Sequence, residues 1–206
     1  QRQMCIRDRN CTTSLRMATI NDFLKKIDIT DLSEYVDTHG ILTHYSKGEM
    51  LVGEGRHCRY IGIVKSGYFK FVAYNSKGQE IVTGFSFVGE VVSDFVRGFL
   101  FGQTCLTTIV AGCDAEILLV TIDELRSYLQ ERNPGFIAHS SSILLQEAYQ
   151  RYLDVLVKSP AERYRELVSR YPNLIGLLSV QEMASFLGVS RRQLHRIRET
   201  ETEKAD

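Results

Sequence analysis

Four arginines and one histidine lie within eight residues near the end of the chain, and they are the strongest candidates for chemistry in the sequence. These basic residues are Arg191, Arg192, His195, Arg196 and Arg198. At about 100° per residue, a helix through this segment points Leu194 and Ile197 inward, and we assign the basic residues to the opposite arc. A guanidinium group donates two hydrogen bonds at once to guanine O6 and N7, so such an arc is typical of a helix that reads the DNA major groove.

Two short helices joined by a turn must present this arc, and the residues from Val180 to Arg198 predict them. Gly188 lies between two helical patterns, where a positive φ turns the chain without steric cost. Ser190 fits the N-cap of the second helix. Ahead of the turn, one helical face carries Met183, Ala184 and Leu187. The alternative is an ordinary helical hairpin with a solvated basic face, but the agreement of apolar pattern, turn and cap favours DNA binding.

The distribution of charge supports the same interpretation. The formal net charge of the whole chain is zero, which alone argues against a nucleic-acid partner. Between Lys158 and Arg198, however, eight Lys and Arg residues face only three Glu residues. A basic module attached to a more acidic remainder provides the local attraction that phosphate groups require.

Composition and cysteine spacing disfavour several other classes of protein. No apolar run approaches the roughly 18 residues of a membrane helix, and no signal-peptide pattern is present. The five cysteines form no C-x-x-C pair, so we expect no zinc, no iron–sulfur cluster and no other cofactor. An odd, scattered set of cysteines fits a reducing cytoplasm better than a disulfide framework, and we expect a cytoplasmic protein.

Catalytic signatures are missing as well. The sequence contains no G-x-S-x-G, no G-x-x-x-x-G-K-[ST] and no H-E-x-x-H pattern. His39, His44, His57 and His139 stand alone, and a lone histidine is more often structural than a metal ligand. We therefore expect that the protein is not an enzyme.

Patterning along the chain divides it into four regions. They are a non-native or disordered leader (1–16), a β-rich sensor domain (17–135), a long helix (136–158) and an all-helical DNA-binding domain (159–206). Between Gly40 and Ile122, runs of β-branched and aromatic residues alternate with turn residues, which predicts an antiparallel barrel or jelly roll. The predicted fold class is α+β, with an antiparallel jelly-roll sensor, a long dimerisation helix and a C-terminal helix-turn-helix domain.

The long helix carries a repeating inward pattern. Its positions are Ala138, Ser142, Leu145, Tyr149, Tyr152 and Leu156. Gaps of four and three residues in alternation are typical of a seam between two helices, so we expect a homodimer. The alternative is a single helix that packs on its own domain. Ser159, Pro160 and Glu162 then predict the start of the next helix, with a capping box, and Pro172 ends it.

In their order, these parts resemble the Crp/Fnr family of bacterial transcription regulators. The resemblance covers roughly Ile41 to Arg198. It is carried by the run from Tyr45 to Gly55, by the strand pair from Tyr60 to Tyr68, and above all by A-S-F-L-G-V-S-R-R-Q-L-H-R-I from Ala184 to Ile197. The S-P-A-E-R-Y segment at Ser159 resembles the Bacteroidetes branch most closely. The resemblance implies a cyclic-nucleotide-binding-like sensor over residues 17–135.

The resemblance also implies roles for the basic residues. Arg191 and Arg196 are expected to read bases, and Arg192 and His195 to contact bases or phosphate. Ser190 and Arg198 are better candidates for phosphate contacts. Family members often have an acidic residue where Arg192 stands, so we expect a different operator preference.

The sensor departs from the family's cyclic-nucleotide pattern. Candidate ligand-binding residues are Gly89, Glu90, Gln103, Thr104 and, on the long helix, Tyr149. Gln103-Thr104 stands where nucleotide binders have an arginine, and burying a cyclic phosphate without a cation is costly. We therefore expect an unidentified small-molecule effector, or none, rather than tight binding of cyclic AMP. The aromatic segment from Phe95 to Gly102 either lines an apolar cavity or belongs to the core.

Together these features predict a DNA-binding transcription regulator. Two chains pair through the long helix and present their recognition helices about one DNA turn, ~34 Å, apart to an inverted repeat in double-stranded DNA. The alternative is a ligand-binding regulatory module that acts on a protein partner instead of DNA.

Overall fold

The computed structural model describes residues 26–172 and 174–203. Eight strands precede most of the helices. They are β1 Ile41–Tyr45, β2 Met50–Val52, β3 Tyr60–Ser66, β4 Phe69–Tyr74, β5 Glu80–Ser86, β6 Val91–Val92, β7 Thr108–Ala111 and β8 Ala115–Thr121. The helices are α1 Thr30–His39, α2 Ile122–Arg132, α3 Phe136–Val157, α4 Pro160–Arg170, α5 Leu174–Leu177, α6 Val180–Phe186 and α7 Arg191–Glu203. A π-helical turn, Phe95–Leu100, lies between β6 and β7.

The strands form two antiparallel four-stranded sheets, which confirms the predicted α+β jelly roll. Their orders are β1-β8-β3-β6 and β2-β7-β4-β5. Side chains from the inner faces of both sheets, including Phe69, Ile109 and Ile117, are fully buried in one cluster. Burial of alternate residues against a facing sheet is the arrangement that holds a β-sandwich together.

Turn residues fix the strand connections that the sequence predicted. Gly67 joins β3 to β4 with φ of 72°, and a Cβ there would lie 2.5 Å from the carbonyl oxygen of Asp114. Only glycine fits this close approach in the left-handed region. Gly78 plays a similar part in the turn between β4 and β5, where its φ is also 72°.

Helices α1 and α2 cover one end of the barrel. Leu32 and Val36 of α1 pack with Leu125 and Leu129 of α2 in a single apolar cluster. Phe99 of the π-helical turn is fully buried in the same cluster, so this part of the aromatic segment belongs to the core. The leader predicted for residues 1–16 lies outside the described residues.

The long helix α3 runs from Phe136 to Val157, close to the predicted bounds. One face packs on the barrel, because Phe136 and Ser140 are buried and Ile143 and Leu144 contact the core cluster. The six residues predicted to form the seam between two helices are all exposed. The two interpretations of α3 are therefore compatible: one face packs on its own domain and the other remains uncovered.

The C-terminal helices pack around a second cluster. It contains Leu167 of α4, Met183 and Leu187 near the turn, and Leu194 of α7, together with barrel residues that include Phe85. Ser159 caps α4 in a reciprocal box with Glu162, as predicted. The acidic run TETEKAD, residues 200–206, is typical of a disordered tail, but this expectation is wrong for its first part, because α7 continues as far as Glu203.

In the described part of the chain, no helix combines the length and the apolar character needed to cross a bilayer.

Candidate nucleic-acid interface

The turn between α6 and α7 has the geometry that its sequence predicted. Gly188 adopts φ of 70°, and the Val189 N–H donates to the Ala184 carbonyl at 2.9 Å. Ser190 Oγ accepts a hydrogen bond of 3.2 Å from the Gln193 N–H, which satisfies one of the amides left open at the start of α7. These contacts fix the direction in which α7 leaves the turn.

Packing fixes the rotation of α7 about its own axis. Leu194 is fully buried against Met183, Ala184 and other members of the second cluster, and Ile197 is partly buried beside it. Because side chains three and four positions apart share a helix face, this contact commits one side of α7 to the protein interior. The opposite side is left to solvent.

The solvent side of α7 carries most of the predicted basic residues. Arg191, Arg192, His195 and Arg196 are exposed. Within residues 26–172 and 174–203, no carboxylate lies within 4.0 Å of the three guanidinium groups. Their donors are therefore available to an external acceptor, and the surface matches the chemistry of base edges and phosphate oxygens.

The prediction that Arg198 lies on this outer arc is wrong. Arg198 is one helical turn from Leu194, and so it shares the inner face. Its Nη2 donates to Met183 Sδ at 3.1 Å, and its guanidinium lies 6.0 Å from the ring centroid of Tyr164 on α4. The Arg198 side chain thus joins α7 to α4 and α6, and we no longer assign it a phosphate contact.

Several other cations of the basic segment also make internal contacts. Lys158 pairs with Asp154 at 3.0 Å and with Glu166, and Arg165 lies 3.5 Å from Glu201 of α7. Arg163 donates to the carbonyl of Leu187 at 3.1 Å, which connects α4 to the turn. The positive charge free to meet phosphate is therefore smaller than the sequence count and is concentrated at the start of α7.

The candidate ligand-binding residues lie in the turn between β5 and β6, in the segment before β7, and on α3. Gly89 and Glu90 form a tight turn, in which the Glu90 carboxylate accepts from the Phe87 N–H at 3.0 Å. Gln103 is exposed, and Tyr149 is exposed on α3. The backbone of Thr104 forms an isolated antiparallel β-bridge with His57. Arg97 is the cation nearest in sequence to Gln103 and Thr104. Its Nε donates to the Thr104 carbonyl at 2.7 Å. None of the candidate residues lines either of the cavities described next, within the part of the chain that the structure describes.

A cavity of about 270 Å³ lies between the barrel, the π-helical turn and α3. Its lining is mostly apolar and includes Phe71, Phe95 and Phe136, so the aromatic segment contributes to a cavity as well as to the core. Asp94 and Arg151 are the charged residues in the lining. Burial lowers the pKa of the Arg151 guanidinium, although the nearby Glu147 acts in the opposite direction.

A second cavity of about 380 Å³ lies where the barrel meets the C-terminal helices. Strand β5, helices α3 and α4, and the α6–α7 turn all contribute to its lining. Arg151 borders both cavities. The same side chain therefore lines a cavity of the barrel and a cavity beside the C-terminal helices.

Glu182, which connects the barrel to the C-terminal helices, was not identified from the sequence. Ser179 and Glu182 form a capping box at the start of α6, and the S-x-x-E spacing was a signal that would have found it. Glu182 is buried and also accepts hydrogen bonds from Tyr68 Oη of the barrel at 3.1 and 3.2 Å. No local pattern predicts a contact between residues 114 positions apart.

We expect Arg198→Ala to lower the free energy of unfolding by about 1 kcal/mol or more, because it removes packing against Tyr164 and Met183. Arg196→Ala is the matched control on the exposed side of the same helix, and it should change stability by no more than about 0.5 kcal/mol. Urea unfolding of both variants measures the difference. Equal effects would contradict the inward placement of Arg198.

Comparison with known proteins finds one family model that matches most of the barrel. Residues 42–132 match the cyclic nucleotide-binding domain. No curated protein matches the chain. The Bacteroidetes branch suggested by Ser159 to Tyr164 stays a prediction.

Solved structures extend the similarity to the C-terminal helices. The c-di-GMP responsive global regulator CLP of Xanthomonas campestris has a TM-score of 0.62 at 18% identity, with 86% of this chain and 93% of that chain covered. The catabolite activator protein of Thermus thermophilus has a TM-score of 0.53 at 17% identity, with coverage of 89% and 87%. A candidate transcriptional regulator of the Crp/Fnr family from Eubacterium rectale has a TM-score of 0.60 at 16% identity, with coverage of 88% and 87%.

Identities this low establish similarity of fold alone. Residues 42–132 thus match the cyclic nucleotide-binding domain family, and the fold of the chain is similar to that of solved transcription regulators of the Crp/Fnr type.

Proposed function

We propose that this protein is a DNA-binding transcription regulator whose recognition helix is α7. The observation that carries the proposal is the division of α7 into two sides. Leu194 anchors the helix in the C-terminal core, while Arg191, Arg192, His195 and Arg196 project into solvent. Helices α6 and α7 then act as a helix-turn-helix, with the start of α7 in the major groove.

The exposed residues have distinct roles in this proposal. Arg191 and Arg196 read base edges, because each guanidinium can satisfy guanine O6 and N7 together. Arg192 and His195 contact bases or phosphate. Ser190 is exposed at the start of α7, and its position at a helix N-terminus favours a nearby phosphate.

We propose further that two copies pair through α3. The uncovered face of this helix carries Leu145, Tyr149, Tyr152 and Leu156, which are between 60% and 72% exposed in a single chain. Apolar side chains at alternating spacings of four and three form the kind of stripe that a second helix covers. Pairing places two copies of α7 on one side of an inverted repeat.

The barrel is proposed to act as the sensor, with an effector other than cyclic AMP. A cyclic phosphate needs a cation to replace its hydration, and Gln103 and Thr104 supply none. Arg97 is engaged by the Thr104 carbonyl, and in the mostly apolar cavity the Arg151 guanidinium is accompanied by the carboxylate Asp94. This arrangement favours an effector with a larger apolar part and no phosphate.

The DNA-binding proposal is tested with an operator selected from a random duplex pool. Loss of two bidentate base contacts costs about 1–3 kcal/mol each, so Arg191→Ala/Arg196→Ala should reduce affinity for the operator to roughly that for unrelated duplex. The matched control is Arg56→Ala/Arg59→Ala, which removes two exposed cations from the barrel. Fluorescence anisotropy measures both variants.

The salt dependence of binding is part of the same test. Neutralisation of phosphates releases counterions, so wild-type affinity should fall steeply as salt increases. A flat salt dependence would favour a regulatory module that acts on a protein partner. Continued discrimination of the operator by the double variant would refute the assignment of Arg191 and Arg196 to base reading.

Dimerisation is tested by placing charges in the α3 stripe. We expect Leu145→Glu/Tyr152→Glu to sediment as a monomer of 23.5 kDa, because an unpaired charge in a buried seam is costly. The wild-type protein should sediment at about twice that mass. The control Gln146→Glu/Gln150→Glu adds the same charge beside the stripe and should remain dimeric. A dimeric Leu145→Glu/Tyr152→Glu variant would place the interface elsewhere.

For cyclic AMP, we expect isothermal titration calorimetry to detect no binding in the micromolar range. The physical reason is the missing cation opposite the phosphate. A micromolar dissociation constant would show that another side chain, such as Arg151, supplies the charge.

A further inference from the structure

The outer edge of β5 is covered by residues from two helices that lie outside the barrel. Strand β5 pairs only with β4 in its sheet, so half of its backbone groups face away from the sheet. The Val82 N–H donates to Ser185 Oγ of α6 at 2.8 Å, and the Thr83 carbonyl accepts from Arg151 Nη2 of α3 at 3.3 Å. The Val82 group is partly buried and needs a partner, whereas the Thr83 contact is exposed; together the two side chains cover part of the sheet edge.

A buried polar cluster lies next to this edge. Glu182 of α6 and Tyr68 of the barrel are 8% and 3% exposed, and the tyrosine hydroxyl donates to both carboxylate oxygens. Lys70 Nζ lies 2.6 Å from Glu80 Oε1 and 3.7 Å from Glu182 Oε1, so it bridges β5 and α6. The Tyr68–Glu182 bond is buried and is therefore stronger than one at the surface, whereas Glu80 is 43% exposed and its pair with Lys70 contributes less.

Glu182 serves both sides of this contact. It accepts from the Ser179 N–H at 2.9 Å and from Ser179 Oγ at 2.6 Å, which caps α6. Burial raises the pKa of Glu182, but the hydrogen bonds from Ser179, the charge of Lys70 and the Tyr68 hydroxyl outweigh burial and leave the pKa below its usual value. One carboxylate therefore both caps α6 and contributes to its attachment to the barrel.

Apolar contacts surround the polar ones. The rings of Phe85 in β5 and Phe186 in α6 lie 5.4 Å apart, and the Arg151 guanidinium lies 5.1 Å from the Phe186 centroid. Met183 of α6 is fully buried in the cluster that also holds Leu194 of α7. The barrel, α6 and α7 are thus connected by continuous packing.

We propose that this joint, defined as Tyr68, Lys70 and Val82 of the barrel with Glu182 and Ser185 of α6, positions the recognition helix for DNA. The proposal rests on the function proposed above. Docking of α6 leaves Arg191, Arg192 and Arg196 exposed, so the docked arrangement is compatible with DNA reading. A fixed α7 loses less freedom on binding, and a change in β4 or β5 alters its orientation.

Two variants loosen the joint without touching α7. Tyr68→Phe removes the hydroxyl that reaches Glu182, and Ser185→Ala removes the acceptor for Val82. In each, we expect hydrogen exchange of the Val82 amide to accelerate roughly tenfold, since its protection depends on docking. The Leu194 amide donates to the carbonyl of Ser190, the residue just before α7. Its exchange should change by less than about twofold.

DNA affinity provides the functional measurement. We expect operator affinity to fall about three- to tenfold in both variants, as the helix must be reoriented on binding. Ser185→Thr keeps a hydroxyl and should restore both affinity and Val82 protection. Tyr74→Phe is the matched control, because it removes a half-exposed hydroxyl at the end of β4, the strand that begins directly after Tyr68.

Unchanged hydrogen exchange of the Val82 amide in Tyr68→Phe and Ser185→Ala would refute the proposal that these side chains hold α6 to the barrel. Faster exchange with unchanged or increased operator affinity would overturn the claim that the docked arrangement reads DNA. If the wild-type protein bound no duplex at any salt concentration, the proposed function would fail, and the exchange data would still decide whether the joint holds α6 to the barrel.

Discussion

The burial of Leu194 is the constraint on which the basic surface depends. An amphipathic helix of this length has little stability in isolation, so packing of its apolar side determines both whether it forms and which way it faces. Once Leu194 lies among Met183, Ala184 and Leu187, the helical period directs Arg192 and Arg196 to the outside. The arginines contribute little to this arrangement. Their exposure follows from the apolar residues beneath them.

A similar division of surface applies to α3. Its inner face joins the barrel core through Phe136 and Ile143, and its outer face presents Leu145 and Tyr149 to solvent. A single helix therefore belongs to the sensor and also carries the surface proposed for pairing. Any shift of α3 on the barrel is transmitted to both, because packed interiors move as units.

Local features of the fold were predictable from the sequence because their causes are local. Gly188, Ser190 and Ser159 act within three or four residues of their own positions, and each was identified correctly. The two sheets followed from turn spacing and β-branched runs, although strand order did not. Arg198 was assigned to the wrong face because only Leu194 and Ile197 were taken as inward. Arg198 is four positions after Leu194 and therefore shares its face.

Contacts between distant segments were beyond such reasoning. The Gly89-Glu90 pair and Gln103-Thr104 were assigned to one ligand site by resemblance, yet Glu90 serves its own turn and Gln103 is exposed. The hydrogen bond between Tyr68 and Glu182 depends on how the C-terminal helices pack against the barrel. Sequence patterns of three or four residues carry no information about this packing.

Strand β5 has one more consequence, which concerns solubility. A bare β-edge offers a row of amides and carbonyls to any other extended chain, and proteins usually protect it with a charge, a bulge or a cover. Here Ser185 and Arg151 supply the cover. Variants that free α6 would therefore also uncover a template for self-association.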